Sequence, residues 1–164
     1  MRIALLSNPS SGRGRHAAAD DVARRILTEA GHEVLHVRGS SYEQARDAGR
    51  ALLGDGPHRN VEALVVVGGD GMVHLGVDVV ATTGVPLGIV ATGTGNDIAR
   101  HFGLPSRDAK ASARLINQAL SGKGAITAVD AIYASRPDGT LLAPQRRWSL
   151  AVVSAGVDAA VNAR

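Results

Sequence analysis

The chain contains no cysteine. That excludes a disulfide scaffold, a thiolate zinc site and a cysteine nucleophile, and it fits a reducing compartment. Aromatic residues are almost as scarce: Tyr42, Phe102, Tyr133 and Trp148 are the full set. Proteins that hold single-stranded nucleic acid stack bases on aromatic platforms, and scattered rings build none. A net charge of only +3 therefore points to anionic ligands and not to nucleic acid. Lysine is limited to Lys110 and Lys123, and no G-x-x-x-x-G-K-[ST] loop occurs, which excludes a Walker-type ATPase. No G-x-S-x-G elbow supports an esterase. No apolar run is long enough to cross a bilayer. A strand-like segment starts directly after Met1, so no signal peptide is expected and a cytoplasmic location is.

What is abundant is glycine, with 20 among 164 residues. The length suits one domain able to bury roughly 68–70% of its unfolded surface. Arg2 to Ser7 is a short apolar run that stops at Asn8-Pro9-Ser10-Ser11-Gly12. A helix follows from Arg15 to Ala30, with Val22, Ile26 and Ala30 at helical spacing and Gly31 as its stop. Glu33 to Val37 reads as a strand. Ser40 and Glu43 form a capping box for the next helix, whose apolar stripe is Tyr42, Ala45, Ala48 or Gly49, and Leu52. Ala63 to Val67 is a continuous apolar run, the pattern of a parallel strand buried on both faces. An apolar helix from Met72 to Ala81 comes next, then a strand from Val85 to Ala91. A short helix spans Ile98 to Phe102, and Ser106 caps another that carries Ala109, Ala113, Ile116 and Leu120. Ala125 to Ala134 and Trp148 to Ser154 read as the last strands. Strand and helix alternate, so the expected fold is α/β: an open, mostly parallel, Rossmann-like sheet with helices on both faces.

In such a sheet, ligands bind beyond the carboxyl ends of the strands. Three glycine-rich loops fall there: Asn8 to Gly12, Gly68 to Gly71, and Gly93 to Asn96. Glycine opens backbone amides to a ligand, and the helix after each loop adds unpaired N–H groups and a partial positive charge. Together they read as a phosphate cradle. Asp70 lies inside it. A carboxylate beside phosphates needs a cation between them or a proton to handle, which points to phosphoryl transfer with a divalent metal. Asp70 could instead cap the helix that follows, and the same alternative holds for Asn96 and Asp97. Gly12-Arg13-Gly14-Arg15-His16-Ala17 matches G-x-G-x-x-A, with Arg38 placed to suit a 2′-phosphate. An NADP-binding reading thus stays open, but it leaves the other two loops unexplained. His32 and His36 are four apart but lie around a strand and not on a helix, and they read as surface residues; His74 reads as a core or helix-face residue.

The three loops together resemble the catalytic domain of the diacylglycerol kinase family of lipid kinases. Sphingosine and ceramide kinases are relatives; NAD kinase and phosphofructokinase are more distant. The resemblance rests on Asn8-Pro9-Ser10-Ser11-Gly12, Gly68-Gly69-Asp70-Gly71 and Gly93-Thr94-Gly95-Asn96-Asp97-Ile98-Ala99-Arg100. Val129-Asp130 and Ala155-Gly156-Val157-Asp158-Ala159 match later landmarks. It implies ATP bound by Asn8, Pro9, Ser10, Ser11, Gly12 and Ser40, by Gly68, Gly69, Asp70, Gly71, Met72, Val73 and His74, and by Gly93, Thr94, Gly95 and Asn96. Asp70 and Asp97 would organise phosphate and Mg²⁺ as the catalytic pair, with no metal-ligand set assigned. The implied acceptor is a lipid such as diacylglycerol at a membrane surface, with Arg100, Arg107, Lys110 and Arg114 as a basic face toward headgroups or a solvated helix face. The family's usual threonine after Gly-Gly-Asp-Gly is Met72 here, which removes a hydroxyl beside the phosphates. The resemblance also implies a second, β-rich domain that supplies the general base. Residues 1–154 are then the α/β nucleotide-binding domain and 155–164 the start of the next. The chain by itself is expected to bind nucleotide weakly, to turn over little, and to self-associate, as a homodimer, through edges left bare. An NAD kinase-like enzyme and a non-catalytic nucleotide-binding module are the alternatives.

Overall fold

The computed structural model describes residues 1–7, 15–39, 41–54, 60–135 and 148–150. The chain runs β1 (Arg2–Ser7), α1 (Arg15–Glu29), β2 (Glu33–Arg38), α2 (Tyr42–Leu53), β3 (Ala63–Gly68) and α3 (Asp70–Val80). It continues through β4 (Leu87–Ala91), α4 (Asp97–His101), α5 (Ala109–Leu120), β5 (Ile132–Tyr133) and β6 (Trp148–Ser149). The main sheet has the order β2-β1-β3-β4, and every pair in it is parallel. Register is fixed across its centre, with Leu5 opposite both His36 and Val65, and Val65 opposite Gly88.

Side chains alternate between the two faces of each strand, as pleating requires. Ile3 and Leu5 of β1 join Val65, Val67 and Val90 under α1 and α5, where Ala23, Leu27, Ala113 and Ile116 pack. Ala4 and Leu6 join Leu64, Val66 and Ile89 on the other face, against Ala45, Leu53, Val73, Leu75 and Val77. Both faces are covered, which is why β1 and β3 read as unbroken apolar runs.

Several local expectations change. The cap of α2 is Ser41, whose Oγ accepts from Gln44 N at 3.2 Å; the expected Ser40 lies outside the described residues. The cap of α5 is Asp108, accepting from Ala111 N at 2.8 Å, because Ser106 is drawn onto the end of β4 instead. The expected strand Ala125–Ala134 shrinks to Ile132–Tyr133, which pairs with Trp148–Ser149 outside the main sheet. Its residues are largely exposed and have no further sheet neighbour among the described residues. His32 is buried against Asn117 Oδ1 at 3.0 Å, and His36 is largely covered, so neither is a surface residue.

Candidate functional site

β1, β3 and β4 are adjacent in the sheet, so the segments that follow them leave from one edge side by side. The chain turns from β1 to α1 on one face and from β3 to α3 on the other. That divergence is the topological switch point of an open parallel sheet, where a crevice opens. Asn8 to Gly12 and Ser40 lie outside the described residues, so the crevice is built here from the loops after β3 and β4.

Those two loops touch backbone to backbone. A Cβ added at Gly93 would lie 2.6 Å from Gly69 Cα, and one added at Gly69 would lie 3.2 Å from Gly93 Cα. Thr92 N donates to Gly68 O at 2.9 Å, extending the ladder into the loops. Both glycines are thus required by each other's approach. Gly71 is different: nothing lies within 4 Å of its added Cβ, and its surroundings are open.

Asp70 does not cap its own helix. Gly69 holds the N-cap position of α3, and Asp70 Oδ1 accepts instead from Ile98 N, at 3.1 Å, in the first turn of α4. One carboxylate therefore joins the two loops. Asn96 occupies the N-cap position of α4 in the left-handed region, φ 55°, which asparagine tolerates better than most residues. Its side chain is not a cap either. Nδ2 donates to Gly93 O at 2.8 Å and to Ser106 Oγ at 3.0 Å. Oδ1 is buried and has no partner among the described residues. Asp97 opens α4 on the exposed side and pairs with Arg100. Both Asp70 Oδ2 and Asp97 Oδ2 face Gly95, at 3.2 and 3.6 Å from its added Cβ.

The open amides complete this geometry. Asp70 and Gly71 are the first residues of an eleven-residue helix, and their N–H groups have no acceptor among the described residues. The same holds for Thr94 and Gly95. Unsatisfied donors at a helix start favour an oxyanion, and two carboxylates beside them favour a hard cation. Met72 and Val73 contribute little to such a ligand. Their side chains are buried in the core and both amides already donate to Gly69 O. His74 is half-buried one turn further on. Among the described residues no cluster of three or more acidic or histidine side chains could hold a metal unaided.

Sequence reasoning did not foresee three sets of contacts among the described residues. Ser7, the last residue of β1, bonds His36 Nε2 at 3.1 Å, and Asp20 Oδ2 meets the same nitrogen at 3.0 Å. Asp78, buried in α3, accepts from Tyr42 OH and Trp148 N, each at 3.0 Å. Arg107 lies ahead of α5, not on its face, and Nη2 donates to Thr94 O at 2.7 Å. A carboxylate at an apolar helix position was the available signal for Asp78; the other two join residues distant in sequence and left none.

Residues 2–131 match the model of the diacylglycerol kinase catalytic domain. Diacylglycerol kinases from two strains of Mycobacterium tuberculosis, CDC 1551 / Oshkosh and H37Rv, are each 38% identical over 115 residues, covering 70% of this chain. The chain spans 36% of the length of those relatives. Among solved structures, a diacylglycerol kinase from Bacillus anthracis Sterne superposes with a TM-score of 0.56 at 25% identity, covering 71% of this chain and 39% of that one. A putative diacylglycerol kinase from the same organism gives 0.54 at 26% identity, over 71% of this chain and 39% of that one. Family model, relatives and fold agree, and the chain belongs to the diacylglycerol kinase catalytic domain family.

Proposed function

We propose that this chain supplies the ATP-binding part of a lipid kinase that phosphorylates diacylglycerol or a similar lipid hydroxyl at a membrane surface. The observation that carries the reading is Asp70: a carboxylate set between two amide-lined loops and bonded to the second of them. Negative charge in an anion cradle is repelled unless a cation joins it. The donors fit Mg-ATP. The amides of Asp70, Gly71, Thr94 and Gly95 would take phosphoryl oxygens, and Asn8 to Gly12 and Ser40 would take the rest of the nucleotide. Asp70 and Asp97 would hold Mg²⁺, which neutralises phosphate charge when bound.

In the reaction the lipid hydroxyl oxygen bonds to the γ-phosphorus while the bridging bond to the β-phosphate breaks. The hydroxyl proton passes to a base that we assign to the further length of the parent protein, with 155–164 as the start of that domain. The exposed residues Ile126, Val129, Ile132 and Tyr133 are the surface we assign to packing by that length or by a second copy. Sedimentation across concentration separates the two.

Isothermal titration of Mg-ATP into this chain, repeated with Asp70→Asn and with NADP as competitor, tests the nucleotide assignment. Binding that falls with Asp70→Asn and ignores NADP is expected. Binding of NADP in place of ATP would sink it. Phosphorylation of NAD but not diacylglycerol by the full-length protein would favour the NAD kinase-like alternative.

A further inference from the structure

The segment between α4 and α5 is irregular, yet it is fastened to the third glycine loop. Ser106 pairs with Ala91 as an isolated parallel bridge, and Arg107 N donates to Ala91 O at 2.8 Å. Arg107 sits at φ 60°, a left-handed conformation that an L side chain adopts only where its contacts hold it there. Those contacts are visible. Nη2 donates to Thr94 O at 2.7 Å, and Nε lies 3.5 Å from Gly93 O. Gly93 O is held mainly by Asn96 Nδ2, at 2.8 Å.

A trans peptide is planar, and its C=O and N–H point in opposite directions. No cis peptide occurs among the described residues. Turning the Thr94 carbonyl onto Arg107 therefore turns the Gly95 N–H away from it. By the same geometry Asn96 sets the Thr94 N–H. Neither amide has an acceptor among the described residues, and Gly95 stands beside the Asp70 carboxylate in the crevice. Asn96 and Arg107 thus divide the loop between them, one carbonyl each.

We propose that Arg107 is a positioning residue that fixes the Thr94–Gly95 peptide so that the Gly95 N–H is presented to a phosphoryl oxygen. Arg107 itself touches no substrate in this role. The inference rests on the nucleotide reading above. It separates Arg107 from Arg100, Lys110 and Arg114, with which it shares charge but not contacts.

The test is amide spectroscopy on the ¹⁵N-labelled chain, with Mg-AMP-PNP as the probe. Arg107→Gly accepts φ 60° without strain, so it removes the guanidinium and leaves the backbone at ease. Arg107→Lys keeps the charge but loses the planar fork. In the wild type the Gly71 and Gly95 amides should shift when the probe is added. In Arg107→Gly the Gly95 resonance should already be displaced without probe, and its response should vanish while that of Gly71 persists. Affinity should weaken roughly tenfold, as expected for one hydrogen bond to a charged group. Arg107→Lys should fall between. A Gly95 amide that keeps its position and response in Arg107→Gly overturns the proposal, as does a wild-type Gly95 that ignores the probe. If both amides respond but the full-length protein phosphorylates no lipid, the kinase reading fails and the role of Arg107 stands. If Arg107→Gly leaves lipid phosphorylation and KM for ATP unchanged, the role of Arg107 fails and the kinase reading stands.

Discussion

Replacing Gly93 with alanine strikes the place where two loops share one space. The new Cβ would lie 2.6 Å from Gly69 Cα, 2.9 Å from Asn96 Oδ1 and 3.3 Å from Gly69 N. Carbon atoms in contact rest at roughly 3.5–4.0 Å, so the loops must part by about 1 Å. Two of the obstructing atoms are backbone and cannot rotate aside. Overpacking of this kind costs about 1–3 kcal/mol. Parting the loops also draws Asp70 Oδ1 away from Ile98 N, now 3.1 Å apart. That bond is only part-buried, so its loss adds about 1 kcal/mol, the net worth of an ordinary hydrogen bond. The destabilisation is thus about 2–4 kcal/mol, or about 5–15 °C in Tm for a chain of this size. Thermal and urea unfolding followed by far-UV circular dichroism measure it, with an unchanged m-value showing that compactness is kept. A Tm within about 2 °C of wild type would refute the claim that the two glycines are fixed by each other.

Gly71→Ala should do the opposite. Its Cβ enters open space in the first turn of a helix, which stabilises by about 0.4–1 kcal/mol. The methyl group occupies the mouth of the cradle, so titration should show loss of Mg-ATP binding. Asp108→Ala removes the cap on Ala111 N and should cost about 0.5–2 kcal/mol in urea unfolding. Asp78→Ala removes an acceptor from the Tyr42 hydroxyl and from the Trp148 amide, at about 1–3 kcal/mol. Trp148 is the only tryptophan, so its emission should move to longer wavelength as β6 loosens. Unchanged emission would show that Asp78 does not hold that strand.

The sheet was legible because a strand covered on both faces leaves an unbroken apolar run, as in Ala63 to Val67. The glycine loops were legible as loops, and the adjacency of the strands before them followed the expected fold. The reason for individual glycines was not legible. Sequence reasoning opens Gly69 and Gly93 to a ligand, whereas each also makes room for the other. Caps shifted by one or two residues because several residues able to cap stand together at Ser40-Ser41 and Ser106–Asp108, and tertiary contacts choose among them. Asp70 could not be assigned from its neighbours, since its partner is 28 residues away. Arg107 read only as one charge of a basic face, because nothing local signals a left-handed arginine.

The strand order has a consequence for how the molecule assembles. β1 comes first in the chain but lies inside the sheet, and its inner neighbour begins only at Ala63. Until β3 arrives, the unit made by β1, α1 and β2 keeps one edge of an apolar strand bare, which is a template for wrong pairing. The pairing of Ile3 with Ala63 closes a long loop, a slow step in parallel topologies. The crevice opens at the carboxyl ends of the same two strands, beyond the Ser7–Val67 pairing. It is the seam between an early and a late part of the chain, and a ligand bound across it favours the joined state by mass action. Nucleotide, by this logic, would act as a folding partner of the N-terminal strand as well as a reactant.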